Sequence, residues 1–156
     1  MITMAMVPQR TAAVVSAEEY RKALDAAMAG HPNSGFVTYY DPSEIVSRGM
    51  TPILENDGQT GCLIINHGSG DIECAGLFSV AGPGTGLALL EHTIHQYGVN
   101  YVEAFEGLHN VYARLGFKEV ETIPWNDDYA PKGWNYGMHG TPSVKIMRLE
   151  PRLVGG

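Results

Sequence analysis

The densest potential for chemistry lies in one turn, Ala81-Gly82-Pro83-Gly84-Thr85-Gly86. Glycines at 82, 84 and 86 let a backbone approach an anion closely. Leu87, Leu90, Ile94 and Tyr97 then recur at spacings of three and four, which predicts a helix over 85–97. The first N–H groups of such a helix have no internal partner and carry the positive end of its dipole, so strand, glycine turn and helix together make a phosphate cradle. Two familiar nucleotide cradles do not fit. A Walker loop needs Lys and then Ser or Thr after its last glycine, where this chain has Leu87; a Rossmann fingerprint needs other glycine spacings and an early position in the chain.

The charges around this turn are one-sided. From Gly49 to Ala113 there is no Lys or Arg, while Glu55, Asp57, Asp71, Glu73, Glu91, Glu103 and Glu106 are acidic. An anion bound here must be held by backbone N–H groups and the helix dipole. The acidic centre suits a cationic acceptor such as an amine, or serves solubility. His92 and His95 share a helix face at metal-ligand spacing, but no third ligand stands near, so no metal is expected. Cys62 and Cys74 fall on neighbouring predicted strands without ligand spacing and read as reduced, buried thiols.

The elements that must position these groups follow from periodicity and punctuation. Residues 1–11 carry no pattern and are expected to fray, with a short strand possible over 11–15. Ser16-Ala17-Glu18-Glu19 is a capping box, with the glutamate reaching back, that opens a helix over 17–29 closed by Gly30 and Pro32. Residues 35–40 predict a short strand or extended segment, and Asp41-Pro42-Ser43-Glu44 caps a short helix to about Arg48. Strands over 51–55, 61–66 and 71–80 form an antiparallel meander through the turns at Asn56-Asp57-Gly58 and His67-Gly68-Ser69-Gly70. In the third strand Ile72, Cys74, Gly76 and Phe78 alternate onto one face, with Glu73 on the side opposite Phe78. A strand over 99–105, a helix over 106–117 ended by Gly116, a strand from Lys118, a long connection over 126–143 and a last strand, Val144 to Glu150, complete the chain. The tail 151–156 is expected to be disordered.

At 156 residues, 44% hydrophobic and 17% charged, this is the composition of one globular domain. A formal net charge of −7 with no basic cluster argues against a nucleic-acid partner. No apolar run reaches membrane-span length and the first residues lack the apolar core of a signal peptide, so a cytoplasmic protein is expected.

Two stretches carry a resemblance. Ala81 to Leu90, AGPGTGLALL, resembles the pyrophosphate-binding signature of the GNAT acyltransferases, and Val111 to Phe117, VYARLGF, resembles their signature at the end of the following helix. The likeness spans about residues 50–150, and the order helix, helix, three antiparallel strands, helix, strand, helix, strand is the family's. It implies a GNAT-like fold, α/β with a mixed, mostly antiparallel sheet flanked by helices. It also implies acyl transfer from a coenzyme A thioester, acetyl-CoA foremost, to an amine of a small molecule, protein or peptide by direct attack. The signature's first position, Gln or Arg in the family, is Ala81 here. That departure, with the missing basic residues, leaves two alternatives: a degenerate GNAT-fold binding or regulatory protein, or a transferase with another donor. The wording of the long connection also resembles phage and mobile-element members.

Carried over by position, the resemblance assigns donor contact to Phe78, Ser79 and Val80, and pyrophosphate contact to Gly82, Gly84, Thr85 and Gly86. Tyr112 becomes the acid that protonates the leaving thiolate, against the alternative that it only packs its helix. Glu73 ranks first as base for the amine, with Glu103 and His109 behind it. The connection borders the family's acceptor site, so Trp125, Tyr129, Trp134 and Tyr136 either wall the acceptor or pack the loop onto the sheet. Edge strands of such sheets often pair, which makes a homodimer possible.

Overall fold

A computed structural model describes residues 12–131 and 133–149. The expectations for the two tails, for Thr11 and for Glu150 lie outside the described residues. The elements run β1 (Ala13–Val14), α1 (Ala17–Met28), α2 (Pro42–Ser47), β2 (Thr51–Glu55), β3 (Thr60–Asn66), β4 (Ile72–Ser79), α3 (Thr85–Tyr97), β5 (Tyr101–Phe105), α4 (His109–Ala113), β6 (Phe117–Ile123), α5 (Tyr136–His139) and β7 (Val144–Leu149). One sheet takes all seven strands in the order β1-β2-β3-β4-β5-β7-β6. Every neighbouring pair is antiparallel except β4 with β5, which lie parallel. The mixed, mostly antiparallel sheet flanked by helices is the architecture expected from the sequence.

Each face of the sheet has its own core. Tyr20, Leu24 and Met28 of α1 and Ile45 of α2 pack on Leu63 and Ile65 of β3 and on Ala75 and Phe78 of β4. Leu89 and Leu90 of α3 pack on Cys62, Ile64, Cys74, Val102, Phe117 and Met147 on the other face. β3 is buried from Thr60 to Ile65 because helices cover it on both sides, which is why its sequence reads as one apolar run.

Two local departures from a regular sheet shape the site. Leu63 pairs with Ala75, yet Gly61 pairs with Phe78, so β4 carries one residue more than β3 across that interval. The bulge falls at Gly76-Leu77, where Gly76 has φ +57°. Only glycine fits: the Tyr20 hydroxyl donates to Gly76 O at 2.6 Å, and a Cβ on Gly76 would lie 2.4 Å from Tyr20 Oη. The extra residue reverses the alternation beyond it. Phe78 therefore joins the α1 face that Glu73 and Ala75 also use, instead of the face of Ile72 and Cys74, and the simple period-two expectation for this strand is corrected.

The second departure lies between β4 and β5. Their register consists of a single pair, Glu73 with Tyr101. Beyond it the strands part and leave a cleft along the edge of β4 that faces away from β3.

Smaller differences have plain causes. Residues 35–40 form no strand; a 3-10 turn spans Ser34–Phe36, and the segment beyond crosses the α1 face without a ladder partner. The helix expected over 106–117 shortens to α4, whose last turn tightens into three-residue hydrogen bonds before Gly116 at φ +100°. At Ser16 the hydroxyl accepts from the Glu19 N–H, but the Glu19 carboxylate accepts from that hydroxyl and does not reach the backbone. Asp41 caps nothing with its side chain, which instead meets Arg21 at 3.4 Å.

Candidate active site

One side of the cleft is built from backbone. At the start of α3, Gly82 (φ +138°) and Gly84 (φ +78°) bend the chain through conformations that side chains resist, and no atom lies within 4 Å of where their Cβ atoms would be. The space over the turn is open. Thr85 N–H and Oγ1–H both donate to Gly82 O, at 3.3 and 2.7 Å, and Ala88 N–H donates to Gly84 O at 2.9 Å. The N–H groups of Gly86 and Leu87 belong to the first helical turn, which has no acceptor of its own and no side-chain cap. The turn is pinned from below by hydroxyls: Asn56 Nδ2 donates to Thr60 Oγ1, which bonds Ser79 Oγ at 2.8 Å, and Ser79 Oγ makes a short bond to Thr85 Oγ1.

The end of β4 stays zipped to β3 on its far edge, where Val80 N–H donates to Gln59 O at 2.8 Å. Alternation along the ladder then turns the N–H of Ser79 toward the cleft. Phe78 points its ring into the core, edge-on to Tyr20 at 5.9 Å. A hollow of about 210 Å³ on this side is bordered by Leu77, Phe78, Ser79, Gly86, Leu87, Leu108, Val111 and Tyr112.

The other side is built from side chains. Glu73, 8% exposed, places Oε1 2.9 Å from His67 Nε2. Burial raises its pKa above the usual carboxylate range and the Glu103 charge adds to this, while the His67 hydrogen bond and Arg48 oppose it. Glu103 lies on β5 and accepts from the Tyr101 hydroxyl at 2.9 Å. Arg48 is engaged by Glu44 at 3.2 Å and lies over the Tyr40 ring at 5.5 Å. These groups enclose a second hollow of about 230 Å³, with Glu73, Glu103, His67, Arg48 and Tyr40 in its wall.

Tyr112 and Leu77 border both hollows. Burial, with a smaller effect of Cys74, pushes the Tyr112 phenol up to about 12, so it keeps its proton at neutral pH. His109, by contrast, accepts from Gly107 N–H through Nδ1 at 3.0 Å and borders neither hollow.

The four aromatic rings of the long connection part company. Trp134 is buried against Phe36, Phe105, Trp125 and His139, and its Nε1–H donates to Gly140 O at 2.9 Å. Trp125 Nε1–H and the Tyr136 hydroxyl both donate to Asp127 Oδ1, at 2.6 and 3.1 Å. Tyr129 is 84% exposed and borders a third and larger cavity between residues 31–39 and 129–139. Among the described residues no three His, Cys, Asp or Glu side chains gather as a metal site requires, and no helix is long and apolar enough to cross a membrane.

His67 and the segment Phe36–Tyr40 were not singled out in the sequence. A signal for His67 existed: with Ile65 opposite Glu73 across the hairpin, His67 stands diagonally beside Glu73 on the same face. No local signal marks Phe36–Tyr40, which reaches the site from far away in the chain.

No protein-family model and no curated protein matches this chain. Solved structures do. An IAA acetyltransferase from Bacillus cereus aligns with TM-score 0.61 at 14% identity, over 92% of this chain and 100% of that one. A GNAT superfamily phosphinothricin acetyltransferase from Sinorhizobium meliloti, in complex with AcCoA, aligns with TM-score 0.59 at 16% identity over 95% of each chain. A GNAT family acetyltransferase from Elizabethkingia anophelis with acetyl-CoA bound aligns with TM-score 0.59 at 14% identity, over 91% of this chain and 98% of that one. At these identities the likeness is one of fold.

Proposed function

With the GNAT fold as premise, we propose that the protein is an N-acyltransferase that moves an acyl group, acetyl in the first instance, from a coenzyme A thioester to an amine. The observation that carries this reading is the parting of β4 from β5 after a single pair, with Tyr112 and Leu77 bordering the space on both sides. The donor's diphosphate lies on the Gly82–Gly86 turn against the N–H groups of Gly86 and Leu87. Its pantetheine arm follows the open edge of β4, where the N–H of Ser79 is free to meet it and those of Phe78 and Val80 face β3. The thioester carbonyl reaches the bulge, where the turned main chain at Leu77 offers a donor to the developing oxyanion.

The amine enters from the side of Glu73 and Glu103. Its nitrogen attacks the thioester carbonyl; a C–N bond forms, and the nitrogen's proton passes to the Glu73 carboxylate, held in place by His67. As the C–S bond breaks, the thiolate takes the phenolic proton of Tyr112. A carboxylate with a raised pKa is a stronger base than an exposed one, and a phenol near 12 is reliably protonated, so the two groups are matched to opposite tasks.

The test is a thermal-shift titration with acetyl-CoA followed by a thiol-release assay with an amine. A donor at one hundred times its dissociation constant stabilises by about 2.7 kcal/mol. A shift with turnover supports the transferase. A shift without turnover under any amine favours the binding or regulatory reading, which the absence of Lys and Arg from Gly49 to Ala113 recommends. No shift at millimolar donor overturns a coenzyme A role.

A further inference from the structure

The third cavity, about 760 Å³, is continuous in its walls with the hollow around Glu73. Phe36, Val37 and Thr38 border both, and Glu103 and Phe105, two residues apart on one face of β5, contribute one to each. The two compartments differ in chemistry. Around Glu73 the charged groups are two carboxylates and one guanidinium already engaged by Glu44. The larger cavity is bordered by Phe36, Phe105, Pro32, Pro131 and Met138, with Ser34, Thr38 and Asn135 as neutral polar neighbours, and, among the described residues, by no Asp, Glu, Lys or Arg. Its titratable neighbours among the described residues are His31, Tyr39, Tyr129 and His139. His31 Nδ1 accepts from Asn33 N–H, and His139 Nε2 lies 3.0 Å from Pro32 O. Its back wall is a preformed aromatic block, with Phe36 edge-on to Phe105, Trp134 and His139 at 5.1, 5.4 and 4.5 Å.

We infer that the acceptor is a small monoamine with an aromatic or branched apolar body, its ammonium-derived head beside Glu73 and Glu103 and its body in the cavity walled by Phe36 and Phe105. This rests on the acyl-transfer reading and narrows its substrate. The size of the cavity lies within the range of small-molecule sites, roughly 300–1,000 Å³. A carboxylate on the carbon that bears the amine would stand against Glu73 and Glu103, where the one Lys or Arg among the described wall residues, Arg48, is paired with Glu44, and like charges repel. A second ammonium at the far end of the ligand would lose its water in a cavity whose described residues offer no carboxylate to meet it. α-Amino acids and diamines are therefore both disfavoured, for opposite reasons.

The experiment measures thiol release from acetyl-CoA with 2-phenylethylamine, phenylalanine, 1,5-diaminopentane and a peptide with a free apolar N-terminus. The expected kcat/KM for 2-phenylethylamine exceeds each of the others by roughly tenfold or more. Glu103→Gln narrows the gap between 2-phenylethylamine and phenylalanine. Met138→Glu sets a carboxylate at an exposed position on the larger cavity; it raises the diamine and lowers 2-phenylethylamine. Phenylalanine, diamine or peptide equal to or better than 2-phenylethylamine overturns the inference. So does a donor-induced thermal shift with slow thioester hydrolysis but no acetylation of 2-phenylethylamine. Loss of the thermal shift itself counts instead against the acyl-transfer reading.

Discussion

The two sides of the β4–β5 cleft are made of different material. On the α3 side the working groups are main-chain N–H groups of a glycine turn and a strand edge, and among the described residues no charged side chain borders the hollow. On the α1 side they are the side chains of Glu73, Glu103, His67, Arg48 and Tyr40, drawn from four separate stretches of chain. A backbone site tolerates changes of side chain and fails when main-chain geometry or its polarity is altered. A side-chain site behaves in the opposite way. The bulge at Gly76 joins them, since it both opens the cleft and puts Phe78 into the core behind Glu73.

The largest effect is therefore expected from Gly76→Ala, which strikes both sides together. A residue with a Cβ at φ +57° costs about 1–2 kcal/mol, and the clash with Tyr20 Oη removes a hydrogen bond that contributes about 1 kcal/mol more. Chemical denaturation should show a loss of about 2–3 kcal/mol, with donor binding and turnover both impaired; a variant as stable as the parent would mean that the bulge is not fixed by this contact.

Gly86→Asp separates the two sides. Its backbone is ordinary, and a Cβ there meets only Ser79 Cβ at 3.6 Å, so the fold accommodates it. The new carboxylate stands where the helix dipole and free N–H groups would receive a diphosphate. Donor affinity should fall by about a hundredfold in calorimetry, while Gly86→Ala changes it little. Equal losses in both variants would show sensitivity to bulk instead of charge.

The contrast also explains what the sequence disclosed. A backbone cradle is local: Gly82, Gly84 and Gly86 lie together and their helix follows at once, so the turn is legible in the sequence. The faces of β4 were misread beyond Gly76 because the bulge comes from a contact with Tyr20, 56 residues earlier. Type alone does not sort Trp134 between wall and core, since an aromatic block forms only when β5, the 3-10 turn and the long connection meet. Glu73 was visible as a carboxylate on a strand, but its partner His67 looked like part of a turn.

Tyr112→Phe tests the point where the two sides meet. The ring still borders both hollows and only the phenolic proton is lost, so kcat should fall by about ten- to a hundredfold with donor affinity within about twofold of the parent. A matched fall in donor affinity and kcat would place Tyr112 in packing alone.

Glu73→Gln should have the smallest effect at the pH optimum, about tenfold in kcat, because water or Glu103 can still take a proton. Its larger signature is in the pH dependence. Glu73 acts as a base only when ionised, and burial, with the charge of Glu103 and against the pull of His67 and Arg48, holds its folded pKa above the ordinary carboxylate value. Parent activity should fall as pH drops through that raised value, and the acid limb should move or vanish in the Gln variant. Stability runs the other way. Between the unfolded and the raised folded pKa the native protein binds more protons than the unfolded chain, so its stability decreases as pH rises through that window. The neutral amide removes this loss, and the melting temperature of the variant relative to the parent should climb from acid to neutral pH. If the acid limb and the melting difference both stay flat, the carboxylate at position 73 ionises freely in water, and the acidic side of the cleft must find its base elsewhere.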